Sequence, residues 1–113
     1  PMVASQELRH YLLNNKFEII DEELAKEGDK FYEIILAKKG LARCKREIYY
    51  EISPILIEKR HPLLKPYIVK KVKQCENILN GLKDVDTEKG IMKQREVKEK
   101  LNEYKEVLKL LES

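Results

Sequence analysis

Between Phe17 and Gly40 the chain carries two apolar runs, Phe17-Glu18-Ile19-Ile20 and Phe31-Tyr32-Glu33-Ile34-Ile35-Leu36-Ala37, on either side of Glu27-Gly28-Asp29-Lys30. β-Branched and aromatic enrichment around a Gly-Asp pair predicts an antiparallel hairpin with a short connection. No other stretch constrains the chain as much, because an isolated two-stranded pair is marginal in water and needs a further layer. In the second strand Ile34 and Leu36 alternate with Glu33, Ile35 and Ala37, so both faces are mostly apolar. That pattern predicts burial on both sides and a central place in a sheet. The first strand runs out into Asp21-Glu22-Glu23, charges that suit an edge. The asymmetry predicts a missing neighbour on the far side of the second strand.

A length of 113 residues fits one domain, or one small domain plus an extension. The charged fraction of 38% is well above the usual quarter or so and suits long solvated helices better than a thick core. The net charge of +3 is unevenly spread. Residues 1–40 hold six Lys/Arg against eight Asp/Glu, residues 41–61 five against three, and residues 62–113 twelve against nine. The helical end therefore leans towards an anionic partner, though weakly. Cys44 and Cys75 have no CxxC partner, and His10 and His61 build no metal cluster with them, so reduced thiols in a cytoplasmic protein are expected and no metal. No apolar run approaches the roughly 20 residues that span a membrane, and no signal-peptide pattern is present. The start at Pro1-Met2 suits a trimmed native terminus or a cut from a longer chain equally.

Ahead of the hairpin, residues 4–15 place Ala4, Leu8, Tyr11 and Leu12 on one helical face, with Ser5 as N-cap and Asn14-Asn15 as the stop. Residues 41–61 form a basic connector, read as two short helices broken at Pro54 with Ser53 as cap, and Arg43, Lys45, Arg46, Lys59 and Arg60 on the solvated side. Two longer helices follow, over about 63–82 and 88–112. Leu64, Ile68, Val72, Cys75, Leu79 and Leu82 line the first, and Val97, Leu101, Tyr104, Leu108 and Leu111 the second, in alternating steps of three and four. Gly81 is expected to end the first, and 84–87 to cap the second. The short connection makes them an antiparallel coiled-coil hairpin. Three parts result: 1–40, 41–61 and 62–113.

No catalytic signature stands in the chain: no glycine-rich dinucleotide turn, P-loop, nucleophile elbow or zinc-protease motif. His10 and His61 read as solvated. Glu33, inside an apolar strand, either faces solvent or a rim lysine, or supports the mouth of a site. The basic residues of 41–61, with Lys70, Lys71 and Lys73, are either a solvated face or phosphate contacts. Tyr49, Tyr50 and Tyr67 are the aromatics that could stack bases.

Leu8-Arg9-x-x-Leu12, Phe17-Glu18-Ile19-Ile20-Asp21-Glu22, Gly28-x-Lys30-Phe31-Tyr32-Glu33-Ile34, Ser53-Pro54-Ile55-Leu56 and Pro62-Leu63-Leu64-Lys65 together resemble the C-terminal part of the bacterial tRNA (adenine) methyltransferase family TrmK. The resemblance covers residues 1–67, and the Lys30–Ile34 run is its best single mark. It implies an α+β remnant, a helix plus a β-hairpin closing a seven-stranded α/β methyltransferase sheet, followed by the coiled-coil domain. Residues 17–38 would be the sixth and seventh strands, the seventh antiparallel between fifth and sixth. Ligands in such sheets bind at the carboxyl ends of the parallel strands, so Pro1, Lys30, Phe31, Tyr32 and Glu33 would border the substrate cleft. The resemblance further implies S-adenosylmethionine as cofactor of the full-length enzyme, held before residue 1, and tRNA as partner. This part alone would be inactive and would supply a tRNA-contacting arm through Arg43, Lys45, Arg46, Lys59, Arg60, Lys70, Lys71 and Lys73. Met2 and Ser53 depart from the family's usual asparagine and glycine. The orphaned strand edge would favour dimerisation. The alternative is a self-contained coiled-coil interaction module with no enzymatic role.

Overall fold

A computed structural model of the chain describes residues 2–112. Pro1, expected at the cleft border, lies outside them. Helix α1 spans Met2–Asn14, strands β1 and β2 span Phe17–Glu27 and Lys30–Lys39, and a 3₁₀ turn covers Glu47–Tyr50. Helices α2, α3 and α4 span Pro54–Lys59, Leu64–Leu82 and Glu88–Glu112. The chain divides into two compact units, Pro1–Leu64 and Lys65–Ser113.

In the first unit the two strands form an antiparallel sheet closed by Gly28-Asp29, with Gly28 at φ +60°, a conformation that costs a residue with a Cβ. The register slips once. Ile19 pairs with Ala37 but Asp21 pairs with Leu36, so Ile20 is an extra, bulged residue. Because side chains alternate with period two, the bulge moves the inward set from odd to even positions, and Glu22 and Leu24 turn to the core. The acidic run is therefore no simple solvent-facing edge: Glu22 is 2% exposed. In β2 only the Phe31, Glu33, Ile35 and Ala37 face is covered; Ile34 and Leu36 are 58% and 56% exposed. The expected burial of both faces is not met among the described residues.

Helix α1 lies on the covered face of the hairpin. It begins by Met2, so Ser5 is inside it rather than its cap. Its inward residue is Arg9, buried, whereas Leu8 and Tyr11, expected on the apolar face, are exposed. The left-handed residue after the helix is Lys16, at φ 63°, while Asn15 donates its side-chain amide to the Tyr11 carbonyl at 2.7 Å. In the connector the break at Pro54 and the Ser53 cap are as expected, but the first piece is a single 3₁₀ turn and Lys59 is paired with the hairpin. Ser53 Oγ accepts from the Leu56 amide at 3.1 Å, with Pro54 at the first helical position. Ile48, Ile52 and Leu56 are buried with Leu24, each burial being worth about 1.5–3 kcal/mol.

In the second unit α3 and α4 run antiparallel. Lys65 Nζ lies 3.6 Å from Glu112 Oε1, Lys71 Nζ lies 5.9 Å from the Tyr104 ring centre, and the Gln94 amide donates to the Leu82 carbonyl. Thr87 Oγ1 caps α4 by accepting from the Gly90 amide at 3.1 Å. Gly81 does not end α3, which continues through Leu82. Gly90 packs so closely on Val85 that a Cβ there would overlap its side chain. The buried set includes Ile68, Cys75, Val97, Tyr104 and Val107, together with Lys71.

Candidate nucleic-acid interface and its buried support

The first unit is tied together by Arg9. Its Nε donates to Glu22 Oε1 at 3.2 Å and its Nη2 to the same oxygen at 2.6 Å. Nη2 also donates to Glu33 Oε1, and Nη1 to the carbonyls of Tyr50 and Glu51 at 2.8 and 3.3 Å. One guanidinium thus joins α1, both strands and the middle of the connector. Its planar fork matches two carboxylates and two carbonyls, a set that a lysine cannot span. Burial works against its charge, but the hydrogen bonds and charges of Glu22 and Glu33 outweigh that and raise its pKa above the ordinary value. Glu33 therefore does not face solvent: its side chain is 3% exposed. Its carboxylate accepts from Arg9.

The other acids of the run anchor α2. Lys59 Nζ lies 2.6 Å from Asp21 Oδ1 and 3.3 Å from Glu23 Oε2, and it donates to the Glu22 carbonyl at 2.7 Å. His61 Nε2 stands 2.7 Å from Glu23 Oε1. Hydrogen bonding to Lys59 pulls the pKa values of Asp21 and Glu23 down, and Asp21 in turn raises that of Lys59. Lys59 is thus committed to the hairpin and is not a free phosphate ligand. His10 and His61 are not simply solvated. The His10 ring stacks on Tyr50 with centroids 3.6 Å apart, and His61 is paired with Glu23.

The remaining predicted cations divide by exposure. Arg43 and Lys45 are exposed, and neither makes an ion pair among the described residues. Arg46 is exposed over the Tyr49 ring at 5.8 Å, and Arg60 caps α2 in the left-handed region at φ 50°. Lys73 is exposed and Lys70 half-buried. Lys71 is not available to phosphate. It is 3% exposed, with its Nζ 4.8 Å from the centre of the Tyr67 ring and 5.9 Å from that of Tyr104. Of the expected cleft residues, Lys30 and Tyr32 are exposed on one face of β2, while Phe31 is half-buried on the other under Lys26. Sequence reasoning missed Arg9 and Glu22. An arginine among apolar helix residues was the signal for Arg9; Glu22, inside the run Asp21–Glu23, carried none.

Under the connector lies a cavity of about 240 Å³ whose lining includes Leu13, Ile19, Glu22, Arg43, Lys45 and Tyr49. Burial raises the pKa of Cys44, which also lines it, and the thiol donates to the Arg46 carbonyl at 2.9 Å. Among the described residues no cluster of His, Cys, Asp and Glu could hold a metal, and no helix is long and apolar enough to cross a membrane.

Several solved structures share this fold. The Bacillus subtilis tRNA methyltransferase TrmK aligns at 20% identity and TM-score 0.80, covering 90% of this chain and 46% of that one. Sp1610 of Streptococcus pneumoniae aligns at 25% identity and TM-score 0.79, covering 92% and 45%, and its structure is also known in complex with S-adenosyl-L-methionine. A protein of the NADB-Rossmann superfamily from Streptococcus agalactiae aligns at 23% identity and TM-score 0.79, covering 92% and 43%. The chain thus spans less than half the length of these structures. No curated protein matches it in sequence. The family described as tRNA (adenine(22)-N(1))-methyltransferase, TrmK, matches over residues 1–106, and the chain belongs to that family.

Proposed function

We propose that this chain is the C-terminal part of an S-adenosylmethionine-dependent methyltransferase that modifies N1 of an adenine in tRNA. Residues 1–40 would close a seven-stranded sheet, 41–61 would form a basic connector, and 62–113 a coiled-coil arm that contacts tRNA. The observation that carries this reading is the family match over residues 1–106. The exposed Tyr32, Ile34 and Leu36 face supports it, since a hairpin complete in itself has no reason to leave those three side chains in water.

In the full-length enzyme S-adenosylmethionine would supply the electrophilic methyl group. The described residues do not fit that cofactor. The sequence holds no glycine-rich cofactor turn. This part alone would accordingly be inactive, and its work is positioning, which is where a transfer between two bound reactants gains most. Lys30 and Tyr32 would border the cleft; Arg43, Lys45, Arg46, Arg60, Lys70 and Lys73 would meet phosphates.

The test is tRNA binding and methylation by the full-length protein with and without residues 62–113. Loss of tRNA binding with S-adenosylmethionine affinity retained is the expected result. Unchanged tRNA affinity without the arm would overturn its role, and no methylation of tRNA by the intact protein would overturn the enzyme reading.

A further inference from the structure

The cavity under the connector has no role in the reading above. Its lining is apolar at Leu13, Ile19 and Ile55 and aromatic at Tyr49. Arg43 and Lys45 at its rim are exposed cations without an ion pair among the described residues. Glu22 also lines it, with both carboxylate oxygens held by Arg9. An aromatic wall, an apolar floor and uncompensated cations at the rim are the parts of a site for single-stranded nucleic acid.

We propose that this cavity receives one unpaired base of the tRNA, with its ring against Tyr49 and its flanking phosphates on Arg43 and Lys45. The inference rests on the tRNA reading above and adds a base-binding subsite to it. The volume, about 240 Å³, suits one base rather than a whole cofactor. A free nucleotide shares this chemistry, so the test separates the two sources.

The experiment uses the full-length protein and unmodified tRNA. Ala42 is exposed and lines the cavity, so Ala42→Trp fills it from the rim without removing a core side chain. The tRNA Kd should rise about tenfold with the salt dependence unchanged, as expected for a lost base stack. Arg43→Ala with Lys45→Ala should weaken binding and also flatten the plot of log K against log salt by about 0.7 per lost phosphate. If only the charge variants weaken binding, the base subsite is overturned and the phosphate reading stands. If neither does, both are overturned. Alkylation of Cys44, which lines the same cavity, gives a readout independent of any variant. Saturating tRNA should slow its reaction with iodoacetamide at least fivefold, and the same concentration of adenosine 5′-monophosphate should not. Protection by the mononucleotide assigns the cavity to free nucleotides and overturns the tRNA subsite, as does unprotected Cys44 in saturating tRNA.

Discussion

Arg9 Nη2 donates to Glu22 Oε1 at 2.6 Å, and both side chains are 1% exposed. The two residues belong to different elements, and the same nitrogen also serves Glu33 on the second strand. With both Tyr50 and Glu51 carbonyls on Nη1, this guanidinium is the point at which helix, hairpin and connector agree on one arrangement.

Arg9→Ala should therefore cost about 3–5 kcal/mol, since it removes one side of a buried ion pair shared with two carboxylates. Arg9→Lys should recover only part of this, because an ammonium cannot reach the same fork of acceptors. Urea midpoints of the two variants decide it. A lysine as stable as the arginine would show that a point charge, not the fork, is what the site needs. Pairing Arg9→Met with Glu22→Gln and Glu33→Gln should cost less than Arg9→Ala alone, the mark of a coupled site.

The Asp21–Lys59–Glu23 cluster should act at the two ends of the pH scale. Asp21 and Glu23 have folded pKa values held down by Lys59. Their contribution is complete above the ordinary carboxylate values of 3.8 and 4.5 and is lost as pH falls through the lower, folded values. Lys59 is raised above its ordinary 10.5, so its contribution is complete below that value and is lost as pH rises through the folded one. Stability against pH should thus show a plateau with an acid and an alkaline shoulder. Lys59→Met should flatten both, and His61→Asn only a part of the acid one. An unchanged acid shoulder in Lys59→Met would assign it to other carboxylates.

Two glycines separate close packing from helix propensity. Gly90→Ala places a Cβ against Val85 and should destabilise the helical unit by about 1–3 kcal/mol. Gly81→Ala meets nothing within 4 Å inside α3 and should stabilise by up to about 1 kcal/mol. Thermal denaturation of both variants should move in opposite directions; a shared sign would contradict the packing argument.

Lys71 is basic in sequence but structural in place. Lys71→Met should change helical-unit stability by about 1–2 kcal/mol through its aromatic contacts and leave the salt dependence of tRNA binding untouched. Lys73→Met, at an exposed position, should do the reverse. Filter binding across a salt series distinguishes them.

The hairpin, its Gly28-Asp29 turn, the Ser53 cap and the two long helices are legible from sequence because each depends on local signals: turn chemistry, a hydroxyl one residue before a proline, apolar residues at steps of three and four. The family is legible too, since the run Lys30–Ile34 and its neighbours occur in order. What the sequence alone determined is thus the list of elements and their kinship. Tertiary structure decided which side chains face inward. The Ile20 bulge shifts the strand's alternation by one residue, and no local preference announces it. That single shift turns Glu22 from an apparent edge charge into the buried partner of Arg9. Burial then sorts the lysines: Lys71 between two tyrosine rings, Lys59 on two carboxylates, Arg43 and Lys45 left at a cavity rim. Their charges are equal in the sequence. Only neighbours distant along the chain set the free energy of using each one on a partner.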